Sequence, residues 1–414
     1  MEIKIYNSLS GNVETFIPIK PNEVTIYVCG PTVYNDAHLG NFRPVVFFDV
    51  FRRFLTFIGY KVTYISNFTD VDDKIIKKAQ ELHISEKELA DKAIQNYKEV
   101  LNSLNVLPAT FNPRVTETMD AIIKYIDNLV KTGHAYIAGN DVYFRVNSIP
   151  EYGVLSNIRT DELKSGARVE QNDLKENQFD FTLWKKTDVG VTWDSPWGKG
   201  RPGWHTECVV MINNIAGNKI DIHGGGFDLK FPHHENEIAQ SEATCHSILA
   251  NYWMHNGFLN INSEKMSKSL GNVITGKEAV DKYGGNLVRY MLISTYYRAP
   301  INFTPEFIET SKMEVSKMEK AQNDLAKRLQ ILHVWENLDK KPSIDEFLNA
   351  LADDVNISNS LTAIFELIKK INLDLRNKTT NDVLIQDYVN LSTMVSILGL
   401  KFDIIKFTKE DIDL

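Results

Sequence analysis

Near its beginning the chain carries an apolar run, Val24-Thr25-Ile26-Tyr27-Val28, closed by Cys29 and punctuated by Gly30-Pro31. Such a run predicts a buried strand, and the apolar periodicity through Phe47, Phe48 and Phe51 predicts the helix that follows it. The first eleven residues alternate polar and apolar like a strand, whereas residues 115–130 carry a helical period. Residues 134–137 and 141–146 read as a hairpin turning at Gly139-Asn140. Residues 219–222 read as a strand ending in His223-Gly224-Gly225-Gly226, where glycines permit close backbone approach or simply a tight turn. Beyond residue 300 the pattern becomes helical. Leu361, Ile364, Phe365, Ile368 and Leu375 mark one apolar face and residues 383–398 another, with Gly399 as its stop.

Strands alternating with helices predict an α/β fold with a parallel sheet, followed by an α-helical bundle. In such a sheet ligands bind beyond the strand C-termini, where unpaired helix N–H groups favour phosphate. Segment 25–41 therefore proposes a nucleotide site with a soft metal ligand, Cys29, beside it.

Length and composition bound the class. A chain of 414 residues with 43% hydrophobic content can bury a large core in two or three domains. Three cysteines exclude a disulfide framework and predict a reducing, cytoplasmic setting. No secretory signal pattern opens the chain, and the most apolar helical stretch, 44–58, is broken by Asp49, Arg52 and Arg53, so no membrane span is predicted. A net charge of −8 argues against a broad nucleic-acid-binding surface, although local basic faces remain available. Lys74, Lys77 and Lys78 form one candidate, and Lys312, Lys317, Lys320, Lys327 and Arg328 another. Each has an equally good reading as ordinary solvated helix surface, and together they predict modest, salt-sensitive binding.

Three constellations carry candidate chemistry. His38-Leu39-Gly40-Asn41 is a short match whose bland reading is a helix-start histidine beside a packing glycine. Lys265-Met266-Ser267-Lys268-Ser269 suits a mobile clamp on a polyphosphate, or merely a solvated basic loop. Cys29, Cys208, His233 and Glu237 have side chains suited to zinc, and the last two stand four apart on what Pro232 suggests is the first turn of a helix. Spacing alone leaves two inert buried thiols as an open alternative.

The first two constellations, in this order and far apart, resemble the paired ATP-binding signatures of class I aminoacyl-tRNA synthetases. CGPTVY, GWHTEC, DIHGGG and PHHENE together, with NFTDVDDKI, YGVLS and SPWGKGRPGW, resemble the cysteinyl-tRNA synthetase family over about the first three hundred residues. The resemblance implies a Rossmann-type parallel-sheet catalytic domain in two halves, 1–110 and 201–300, the second carrying the KMSKS loop. It implies an inserted connective, acceptor-end region at 111–200 and a tRNA-stem-binding helical bundle at 301–414, with the family's usual further anticodon-reading module expected to be either absent or truncated.

It also implies cysteine activation and transfer to tRNA(Cys), with L-cysteine and ATP carrying Mg2+ as substrates. One Zn2+ per chain would be held by Cys29, Cys208, His233 and Glu237. ATP would meet His38, Gly40, Lys265, Ser267 and Lys268, with His38, Asn41, Lys265 and Lys268 acting on the phosphates. Asn41 stands where the class often has histidine, so it can donate a hydrogen bond but no positive charge. Tyr27, Gly30, Thr69, Trp204 and His223 would line the amino-acid pocket. Cys245, left over from the metal set, is expected as a small buried helix residue. The chain is expected to act as a monomer.

A related cysteine ligase of mycothiol synthesis, which uses a glucosamine–inositol acceptor and lacks the complete anticodon module, is the alternative enzyme. A non-catalytic tRNA- or zinc-binding descendant is disfavoured by retention of both ATP signatures.

Overall fold

The structure, a computed structural model, describes residues 1–158, 174–262, 264–266, 271–336, 338–377 and 379–407. Its centre is a four-stranded, wholly parallel sheet in the order Ala250–Asn256, Ile220–Gly226, Glu23–Val28, Lys61–Ile65. The two middle strands, far apart in sequence, lie side by side with Tyr27 opposite His223 and Val28 opposite Gly224. Adjacent strands whose connections leave in opposite directions create a crevice at their C-terminal ends, and that crevice is where a ligand fits.

Alternation along these strands separates two apolar layers. Val24, Ile26, Val28 and Met254 join the larger core with the helix Leu39–Phe57, whereas Tyr27, Ile65 and Trp253 pack with Cys208, Val209 and Ile212 of the helix Trp204–Ala216. The larger core continues into the helices Pro305–Ile331, Asp345–Ala352, Ile357–Arg376 and Asn381–Ile397. At that junction Arg289, fully buried, donates to the Asp49 carboxylate at 2.6 Å and to the carbonyls of Leu398 and Leu104 at 2.6 and 2.9 Å.

Several local expectations need adjusting. The helix expected at 115–130 runs Met119–Lys131. The hairpin expected around Gly139-Asn140 forms between Ala135–Ala138 and Asp141–Phe144, but Phe181–Lys186 and Gly200–Pro202 extend it into a four-stranded antiparallel sheet. His223 to Gly226 belong to a central strand and not to a turn after it. Glycine is required there by packing: a Cβ on Gly224 would stand 2.1 Å from the Phe48 ring. Cys245 is the last residue of the helix Glu235–Cys245 and is only half-buried, because the chain turns away at His246 in a left-handed conformation.

Candidate metal centre and nucleotide cleft

A cleft of about 360 Å³ opens beyond the C-terminal ends of the two middle strands. Cys29 and Gly30 form part of one wall, Trp204 another, and His38, Gly40 and Asn41 the far end. A sulfur ligand and the start of a helix thus face one cavity.

Cys29 reaches the cleft because it is the first residue past the strand Glu23–Val28. Gly30 follows because nothing larger fits: a Cβ there would stand 1.7 Å from the Asn67 carbonyl oxygen. Its N–H donates to Asn67 Oδ1 at 2.9 Å, and the Asn67 amide donates in turn to Thr69 Oγ1, whose hydroxyl donates to Glu207. Gly30, Thr69 and the helix of Trp204 are thereby linked beneath the wall.

The donor atoms of Cys29, Cys208, His233 and Glu237 all lie within 4.8 Å of one another. The two sulfurs are 3.9 Å apart, Cys208 Sγ is 3.5 Å from His233 Nε2, and His233 Nε2 is 2.8 Å from Glu237 Oε1. Two thiols, an imidazole and a carboxylate converging on one point, three of them buried, form a donor set that fits a tetrahedral zinc-type ion. His233 and Glu237 meet as the spacing predicts, but by a different backbone. The helix starts at Glu235, and residues 230–234 form a wider turn with Phe231 extended, so Pro232 does not open an ordinary first helical turn.

The electrostatics of this cluster are those of a site short of positive charge. Burial pushes the Glu237 carboxyl up, but the His223 and His233 imidazoles beside it hold it down at about 2. Hydrogen bonding from Cys29 draws the Cys208 thiol down to about 6, while burial and Cys208 push the Cys29 thiol up, so ionisation of the pair favours Cys208. A bound cation relieves this competition and allows both thiolates.

Around the four donors sits a ring of histidines. His223 Nε2 lies 2.6 Å from Glu237 Oε2, His234 Nε2 lies 3.4 Å from Cys29 Sγ, and His205 Nδ1 lies 3.0 Å from His233 Nδ1. Trp204 stacks on the His233 ring with centroids 4.2 Å apart, fixing its plane.

At the far end of the cleft His38 is the residue preceding the helix Leu39–Phe57. Its backbone N–H donates to Asn41 Oδ1 at 3.1 Å, so Asn41 closes the first turn by a side-chain cap. A Cβ on Gly40 would crowd His38 Nδ1 at 3.1 Å and Met266 Cε at 3.3 Å.

Residues 15–313 match the family of tRNA synthetases class I (C) catalytic domains, and residues 346–403 match the DALR domain family. A cysteine–tRNA ligase of Halalkalibacterium halodurans is 46% identical over 407 residues, covering 97% of this chain and 87% of that protein. The chain belongs to the cysteine–tRNA ligase family. A second member, from Staphylococcus carnosus, is 46% identical over 405 residues, with 96% and 87% coverage. Among solved structures, methionyl-tRNA synthetase of Mycobacterium tuberculosis in complex with methionyl-adenylate superposes with a TM-score of 0.65 at 13% identity, covering 91% of this chain and 89% of that one. A leucyl enzyme from Agrobacterium radiobacter, in a ternary complex, gives 0.68 at 10% identity, with 93% and 85% coverage. These two likenesses concern the class I fold.

Within this family frame, the structure brings Cys29, Cys208, His233, Glu237, Tyr27, His223 and Trp204 into one neighbourhood and sets His38, Gly40 and Asn41 at the other end of the same cleft. Thr69 sits beneath the wall. Lys265 lies in a short strand, Glu264–Lys265, and Ser267 and Lys268 fall outside the described residues. Motif spacing did not single out Asn67, Glu207, His255 or Ser8. His255 Nε2 lies 2.8 Å from His234 Nδ1, and His255 Nδ1 lies 2.8 Å from Ser8 Oγ. Ser8 carries no signal in the sequence; the only hint for His234 is its place in the His233-His234 doublet.

Proposed function

We propose that the chain activates L-cysteine with ATP, as its magnesium complex, to cysteinyl-adenylate and then transfers cysteine to a terminal ribose hydroxyl of tRNA(Cys), as a single cytoplasmic chain. The observation that supports this reading is the convergence of Cys29, Cys208, His233 and Glu237 at Cys29, which lines the cleft whose far end is His38.

Those four residues would hold zinc, which when bound favours a substrate thiolate and gives serine's hydroxyl little affinity. Tyr27, Gly30, Thr69, Trp204 and His223 would shape the pocket around the remainder of the amino acid and orient its carboxylate toward the α-phosphate. His38, at the start of the helix Leu39–Phe57, would donate to phosphate where backbone N–H groups already favour negative charge. Asn41 is engaged in capping, and we therefore assign it the placing of His38 and no direct charge on the phosphates. Lys265 and Lys268, with Ser267 between them, would neutralise the charge that builds on the departing pyrophosphate. Selection by a metal–sulfur contact needs no separate editing step.

A match to the DALR domain at 346–403 favours a tRNA acceptor over the amino sugar of the related cysteine ligase. Cysteine-dependent exchange of labelled pyrophosphate into ATP tests the first step. Offering purified tRNA(Cys) and a glucosamine–inositol acceptor in parallel tests the second: acylation of tRNA alone is expected, and exclusive use of the amino sugar would reverse the assignment.

A further inference from the structure

Glu237 presents its two oxygens to different partners. Oε1 faces His233 at 2.8 Å and Cys29 Sγ at 3.8 Å, whereas Oε2 faces His223 Nε2 at 2.6 Å. On that second side a different quartet closes: donor atoms of Cys29, His223, His234 and Glu237 also lie within 4.8 Å of one another, and all but Cys29 are buried. Thiolate, two imidazoles and a carboxylate are a zinc-compatible set in their own right.

His234 is anchored through its outer nitrogen, whereas His223 is positioned by ring stacking, its Nδ1 having no hydrogen-bond partner among the described residues. His234 has its Nδ1 occupied by His255 Nε2 at 2.8 Å, and His255 is itself held through Nδ1 by Ser8 Oγ at 2.8 Å. With a proton on each Nδ1, the chain runs from His234 to His255 to Ser8 and leaves the His234 Nε2 lone pair aimed at Cys29 Sγ, 3.4 Å away. Outer partners that fix the tautomer in this way are characteristic of metal-ligating histidines. The His223 ring is clamped face to face against Trp253, with centroids 4.6 Å apart and planes 15° apart, so its Nε2 keeps pointing at Glu237.

We infer that the chain holds a second, inner station for a borderline divalent ion behind the cleft wall at Cys29, formed by Cys29, His223, His234 and Glu237 beside the outer one. The inference rests on the outer site proposed above, because the two stations share Cys29 and Glu237. Sharing a thiolate and a carboxylate restricts the chain to one ion at a time, which settles inward when Cys208 or His233 is lost. An ion held inward would be contacted by the buried His223, His234 and Glu237 and by the half-buried Cys29.

Cobalt(II) titration of the full chain, read by its thiolate-to-metal absorption, tests this. The parent should bind one ion with the intensity of two thiolates. Cys208→Ala should still bind one, with the sulfur band reduced to about half, and His233→Ala should also retain one ion. Adding His234→Ala to Cys208→Ala should weaken binding by roughly tenfold or more. Failure of both single variants to bind at concentrations that saturate the parent would overturn the inner station and leave the outer one standing. So would equal affinity in Cys208→Ala with and without His234→Ala, or two ions in the parent. A parent that binds no ion at all would remove the outer site, and the inner one with it.

Discussion

His38 and Thr275 face each other across an antiparallel bridge. The N–H of Leu39 donates to the Ile274 carbonyl and that of Gly276 to the Ala37 carbonyl, both at 2.9 Å. The start of the helix that carries the first signature is thereby stitched to the segment directly after the second. Thr275 has a further task, accepting from the Glu278 N–H at 3.1 Å while its own N–H donates to Glu278 at 2.8 Å, a reciprocal cap on the helix Gly276–Tyr283.

Thr275→Ala should therefore cost about 1 kcal/mol of stability through the lost cap. By loosening the start of the helix Gly276–Tyr283, which the bridge ties to His38, it should also raise the KM for ATP more than that for cysteine, as the proposed placing of ATP at the His38 end of the cleft requires. Pyrophosphate exchange with each substrate varied in turn reads the difference. Equal changes in both constants would mean that the cap has no influence on nucleotide binding.

Gly224→Ala places a methyl group 2.1 Å from the Phe48 ring in the middle of the parallel sheet. Overpacking of this kind should destabilise the chain by about 1–3 kcal/mol in urea unfolding. Phe48→Leu, which vacates part of that space, should make the double variant less destabilised than the sum of the two singles. Strict additivity would show that the strain is relieved elsewhere.

The Asp49–Arg289 pair joins the helix Leu39–Phe57 to the end of the helical region at Leu398. Asp49 also accepts from the Leu107 N–H at 2.8 Å and from Arg53 at 2.8 Å, so its carboxylate serves three partners. Asp49→Ala leaves the Arg289 guanidinium buried without its counter-charge, and a loss of about 3–5 kcal/mol is expected. Replacing both residues by apolar ones of similar volume should recover much of it. A double variant no more stable than Asp49→Ala would place the cost in lost packing instead.

How far the sequence revealed this arrangement depended on distance along the chain. The strand at Val24 and the helix at Phe47 were legible because local periodicity reports burial directly. The four-stranded antiparallel sheet was not, since Phe181–Lys186 pairs with Asp141–Phe144 across a separation that no local pattern encodes. The same limit applied at the site. Cys29, Cys208, His233 and Glu237 could be gathered by residue type and family resemblance, whereas the orienting chain from His234 through His255 to Ser8 depends on tertiary approach over more than two hundred residues. Asn41 shows the converse: the sequence displayed it as a departure from histidine, and its capping hydrogen bond to the His38 N–H supplies a structural task that composition alone did not suggest.

Removal of metal should separate affinity from selectivity. Chelation followed by desalting should lower kcat/KM for cysteine activation, and stoichiometric zinc should restore it, because a cation lets Cys29 ionise beside Cys208 and Glu237. Activation of serine should change far less, since its hydroxyl gains little from the ion. The ratio of the two kcat/KM values should then fall toward what shape alone supplies for near-isosteres, about 10- to 200-fold. Comparing both substrates in pyrophosphate exchange, with and without restored zinc, measures this directly. An unchanged cysteine-to-serine ratio in metal-free protein would mean that discrimination resides in the walls around Tyr27 and Trp204 and not in the sulfur-binding metal site.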